Sequence, residues 1–145
     1  MGSDCVLSGD PTGPNGCTVV LTETDESSVL WYCHVGSTAP KWVRHEYDLG
    51  GKLVVMKEFR YRQKEHIFCL TPYDGKFYYP IGHGKYGVLE FSPELTFSTA
   101  KTKGVKLTFP PNDQEFVHSY YYLLDLDGKL HMVCLFFADF GMQRV

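Results

Sequence analysis

The residues with the greatest capacity for chemistry in this sequence are one glycine-rich run, six histidines and five cysteines. Gly82-His83-Gly84-Lys85-Tyr86-Gly87 fits the pattern G-x-G-x-x-G. A dinucleotide site needs that run between a strand and a helix, because the helix N-terminus holds the pyrophosphate. Here Val88 to Phe91 follows and reads as a strand. A kinase glycine loop does join two strands, but it requires a valine two residues past its last glycine and a lysine in a V-A-I-K strand, and both are missing. The run predicts a glycine-rich hairpin connection.

The histidines, His34, His45, His66, His83, His118 and His131, form neither H-x-x-x-H nor H-E-x-x-H. His34 adjoins Cys33, and His131 lies near Cys134, so a His/Cys metal site would have to be assembled from distant strands. Hydrogen-bonded strand histidines are the commoner arrangement. The cysteines (Cys5, Cys17, Cys33, Cys69, Cys134) include no C-x-x-C pair, which argues against a zinc ribbon or a dithiol redox motif. None has the cationic or helix-terminal setting that activates a thiolate. Cys33, Cys69 and Cys134 sit in apolar runs and read as small buried hydrophobes. Asp125 and Asp127 flank a turn without the further oxygen ligands of a calcium loop, and no G-x-S-x-G occurs. The expectation is a chain that is not an enzyme and has no catalytic residue, metal or cofactor.

What remains is aromatic. Ten Tyr, ten Phe and two Trp make up 15% of the 145 residues, and aromatic side chains favour pleated, half-buried surfaces. With 43% hydrophobic and 21% charged residues, the chain can bury a core and is not a disordered tail. Its length fits one domain, residues 1–145. The formal charge of −3 and the short basic clusters, Lys57-Arg60-Arg62-Lys64 and Lys101-Lys103-Lys106, suit solvated strand or loop faces and no nucleic-acid partner. No run approaches the ~20 apolar residues that span a bilayer, and residues 1–5 lack the features of a signal peptide, so no membrane partner is expected. Odd, widely spaced cysteines suit a reducing intracellular compartment, cytoplasmic or nuclear.

The elements that must position these side chains are strands. Alternating or continuous apolar runs occur at Thr18–Thr22, Val29–Val35, Trp42–Tyr47, Leu53–Met56, Ile67–Leu70, Phe77–Ile81, Gly87–Phe91, Thr96–Thr99, Val105–Phe109, Tyr120–Leu126 and Leu130–Phe137. Between them stand a Pro/Gly loop at 10–16 and the pairs Gly50-Gly51, Asp74-Gly75 and Asp127-Gly128, which predict tight hairpins. A helix, if any, would be short, near Asp113–Val117. Phe68 to Tyr79 resembles Tyr121 to Met132: an apolar strand, Asp-Gly-Lys, a second apolar strand, at an offset of 53 residues between Asp74 and Asp127. A period of about 50 residues is the size of a propeller blade. The fold class expected is all-β, an incomplete β-propeller of about three antiparallel blades.

Four stretches carry a family resemblance: Ser3-Asp4-Cys5-Val6; Leu30 to Gly36 followed by Trp42; Phe68 to Phe91; and Tyr121 to Val133. Together they resemble the plant KIB-type β-propeller domain, a domain of unknown function usually found behind an F-box. The resemblance implies an intracellular protein-interaction module that holds a target for ubiquitin ligation. No F-box precedes Ser3, so docking on a Skp1-type adaptor is not expected, and a fragment or truncated member is. Partner identity stays open. Candidate interaction aromatics are Trp31, Trp42, Tyr78 and Tyr121, although packing between blades is the commoner fate of any one of them. Of the trios Phe77-Tyr78-Tyr79 and Tyr120-Tyr121-Tyr122, one member each is expected to be buried. The alternative is a small-molecule-binding β-barrel of lipocalin size, which would show one closed sheet around a cavity.

Overall fold

The computed structural model describes residues 3–23, 28–56, 59–82, 84–91, 94–102 and 116–138. All the regular structure among them is strand. Strands β1 (Ser3–Leu7), β2 (Cys17–Glu23), β3 (Val29–Val35) and β4 (Val43–Glu46) form one antiparallel sheet in chain order. Strands β5 (Gly51–Met56) and β6 (Phe59–Lys64) form a separate hairpin. A second four-stranded meander comprises β7 (Thr71–Tyr73), β8 (Lys76–Gly82), β9 (Lys85–Phe91) and β10 (Leu95–Lys101). A last hairpin pairs β11 (Phe116–Leu126) with β12 (Lys129–Ala138).

Alternation explains how the two meanders meet. In register across the first sheet, Val6, Val20 and Tyr32 stand in one row, with Thr22 and Leu30 in the next, all on one face. In the second, Phe77, Leu89 and Phe97 make an equivalent row, flanked by Phe91 and Leu95. These faces close on each other: Val20, Leu30, Phe77, Tyr79 and Leu89 belong to one buried cluster. Tyr32 meets Phe91 with ring centroids 4.8 Å apart, and His45 stacks on Phe97 at 5.6 Å. Each large side chain buried there contributes about 1.5–3 kcal/mol.

The opposite face of the second sheet receives the β11–β12 hairpin. Thr71 donates its hydroxyl to the Leu123 carbonyl at 2.6 Å, Tyr73 donates to the Gly128 carbonyl at 2.9 Å, and Leu123 is buried. These bonds join the two halves of the internal repeat, so successive repeats pack as successive layers. The strands divide into four separate sheets, and the described residues form no single closed barrel. The lipocalin-like alternative is thereby overturned: strands end at turns that send the chain to a new layer, and apolar faces are buried between layers.

Turn chemistry behaves as read at two sites. Asp74-Gly75 and Asp127-Gly128 have positive φ at both residues, the type I′ requirement, and close the β7–β8 and β11–β12 hairpins. Within the glycine-rich run, Gly82 ends β8, Gly84 is a turn residue and Lys85–Gly87 belong to β9, with Gly82 opposite Lys85. Elsewhere the reading changes. Gly50-Gly51 closes no hairpin; Gly50, at φ 84°, turns the chain out of the first sheet into β5. Ile67–Leu70 is not a strand, because Cys69 at φ 52° bends the backbone, and the bend buries both Ile67 and Leu70. Cys69 and Cys134 are half-buried, while Cys17 joins Cys33 as a buried thiol. Phe116 and Val117 belong to β11 and not to a helix; residues 113–115 and the expected strand at 105–109 lie outside the described residues.

Candidate functional site

Among the described residues no three His, Cys, Asp or Glu side chains gather as metal ligands. His34, exposed on β3, bonds Thr18 Oγ1 through Nδ1 at 2.9 Å and meets Phe91 edge-on. All five cysteines are free. The described surface also carries grooves and exposed aromatic faces.

The four candidate aromatics do not converge. Trp31 lies on the outer face of the first sheet, its indole N–H donated to Glu23 at 2.9 Å. Trp42 precedes β4 and is 46% exposed. Tyr78 faces away from the Phe77 side, between Tyr73 and Tyr86, with centroids 5.9 and 5.8 Å from its own. Tyr121 shares the face of buried Leu123, toward the second sheet, by the two-residue period of β11. Both trios depart from expectation. Phe77 and Tyr79 are both buried, because their face is the inter-sheet face; Tyr120 and Tyr122 are exposed on the face of β11 away from the second sheet, and Tyr121, on the facing side, is half-buried.

The most open surfaces lie elsewhere, on residues outside the four candidates. Every residue of β6 is exposed, with Phe59 at 70%, and Leu53 on β5 reaches 62%. The register puts Phe59 and Tyr61 on one face of the hairpin and Arg60, Arg62 and Lys64 on the other. On β11, Tyr120, Tyr122, Leu124 and Leu126 form an exposed apolar row beside Leu135 of β12. The strict alternation of aromatic and basic residues at 59–62 was the available signal.

Beside the base of β5–β6 runs a groove. One cavity of about 230 Å³ has Leu49, Phe68 and Ile81 among its walls, with Lys52 and Lys64. It shares Leu49, Glu65, Tyr79 and Ile81 with a second of about 420 Å³, which reaches Lys85 and Lys101. A third, of about 320 Å³, adjoins through Lys64 and includes Arg62 and Asp48. Cavities of this size and continuity suit a ligand larger than a single ion.

Tyr79 links core and groove. Burial, with Tyr47 and Glu65 nearby, pushes its phenol up to about 12. The folded state thus keeps a proton that the unfolded chain sheds above the ordinary value of 10.0. Tyr79 contributes its full stabilisation below about pH 10 and loses about 1.4 kcal/mol per pH unit from there to about 12. Urea unfolding across that window should show a shallower loss in Tyr79→Phe; an unchanged slope would remove Tyr79 as the cause. Tyr47, also pushed up by burial, leaves part of the loss in place.

Antiparallel meanders stacked face to face, repeated at an offset of one blade, define a propeller-type protein. The chain matches the KIB1-4 beta-propeller family over residues 1–144, and it belongs to that family. No curated protein and no solved structure shows significant similarity to it.

Proposed function

We propose that the chain is a protein-recognition module that works by binding and not by catalysis. The observation that carries this reading is the β5–β6 hairpin, exposed along β6, with Phe59 and Tyr61 side by side on one face. Exposed aromatics in a row are the anchors that protein interfaces use, because they bury large area at low entropic cost. The family membership supports a scaffold role. In this reading the partner is a protein, nucleic acid and membrane are not partners, and the work is done inside the cell, where five thiols remain reduced. The part of the family's implied role that this surface suits is target recognition.

A photo-cross-linking amino acid placed at position 59 of the full chain, in cells that express it, tests this. One or a few discrete protein adducts are expected, and Tyr61→Ser should diminish them while changing stability by no more than about 0.5 kcal/mol. A diffuse, variant-insensitive smear would count against the reading.

A further inference from the structure

We infer that the groove beside β5–β6 binds an extended acidic segment of a partner protein; this rests on the protein-recognition reading and names the chemistry of the partner. Five cations line the three adjoining cavities: Lys52, Arg62, Lys64, Lys85 and Lys101. Arg60 continues the stripe of Arg62 and Lys64, about 6.6–6.8 Å away along the same strand face. Among the described residues the carboxylates on the walls are Asp48 and Glu65, and Asp48 already accepts the Gly50 N–H at 2.8 Å. The ion pairs among the described residues, Arg44–Glu46 and Lys76–Glu90, use other side chains. This concentration of positive charge stands in a chain whose formal charge is −3.

A second observation points the same way. Lys101 lies directly opposite Lys85 in the β9–β10 register. Like charges in that position destabilise a sheet, and an anion between them removes the cost. The groove floor adds apolar contacts from Leu49 and Ile81, with Phe68 at its edge 44% exposed. An extended peptide alternates its side chains, so one carrying carboxylates and apolar residues in turn meets both the cationic walls and the apolar floor. Nucleic acid fits less well. Its backbone presents a charge at every step, and Glu65, shared by the first two cavities of the run, repels it; a peptide can place a neutral residue there.

The test is fluorescence anisotropy of the full chain with a short labelled peptide alternating glutamate and valine. Binding should weaken as salt rises. Arg62→Glu/Lys64→Glu should weaken it about tenfold or more with thermal unfolding unchanged, and Lys85→Gln/Lys101→Gln should weaken it measurably while thermal unfolding without peptide rises slightly, because the opposed like charges are gone. Equal affinity in both variants, or equal binding of a lysine–valine peptide, overturns the inference. Tighter binding of a single-stranded oligonucleotide reassigns the groove to nucleic acid and overturns it too. If position 59 cross-links a protein while the acidic peptide fails to bind, the recognition reading stands and the acidic-segment inference falls.

Discussion

Gly87→Ala is expected to lower stability by about 3 kcal/mol, toward the upper end of the range for overpacking. Gly87 lies opposite Tyr79 in the β8–β9 register, and a Cβ at that position would sit inside the Tyr79 ring. The backbone of Gly87 needs no positive φ, so the cost is purely steric. The ring can shift into the groove it lines, and that exposes a side chain that is now 2% accessible. Both outcomes cost a comparable amount, since exposing a large aromatic forfeits about 1.5–3 kcal/mol. The unfolding temperature should fall by roughly 10 °C for a domain of this size. Tyr79→Leu in the same chain should relieve part of the loss, so the double variant is less impaired than the two single costs combined. Strict additivity would show that the ring and the glycine do not oppose each other. The same variant should weaken binding in the groove, because a displaced Tyr79 fills it.

Phe77→Ala should cost about 4 kcal/mol, within the range for large-to-small aromatic changes in a core. Phe77 is 0% exposed, stands between its register partners Pro72 and Leu89, and meets Phe91 edge-on at 5.7 Å. It lies at the centre of the contact between the two four-stranded sheets, where the cavity left by its ring cannot collapse without moving both. For a domain whose total stability is typically about 5–15 kcal/mol, such a loss brings unfolding close to ambient conditions. Phe59→Ala is the matched control: the same chemistry at a site 70% exposed should change stability by no more than about 0.5 kcal/mol. Urea titrations of the two variants make the comparison. A cost below 1 kcal/mol at Phe77 would mean that the sheet-to-sheet contact is not the main core.

Together the two variants separate the parts of the molecule. Phe77 reports on the layered scaffold and Gly87 on the scaffold and, through Tyr79, on the groove, whereas Phe59, Tyr61 and the cationic stripe of β6 report on recognition. A change at Tyr79 affects both, because its ring is at once part of the buried cluster and a wall of the groove.

Much of the scaffold is legible along the chain because it is encoded by near neighbours. The β-branched and aromatic runs of β2, β3, β8 and β9 predict strands. Asp74-Gly75 and Asp127-Gly128 predict their turns because a positive φ at two successive residues is a local demand. The 53-residue offset predicts layers, and the bonds from Thr71 and Tyr73 to Leu123 and Gly128 are where those layers meet. Other features are set by partners far away in sequence. Ile67–Leu70 reads as a strand, yet the need to bury both Ile67 and Leu70 bends it at Cys69. The period of β11 divides its residues between two faces, but only packing decides that Leu123 is covered while Tyr120 and Tyr122 are not. Basic residues at 52, 62, 64, 85 and 101 look like scattered solvated charges until folding lines them along one groove. Strands and turns follow from interactions within a few residues; buried faces and shared grooves depend on which surfaces meet across the fold, and that is a property of the packed chain.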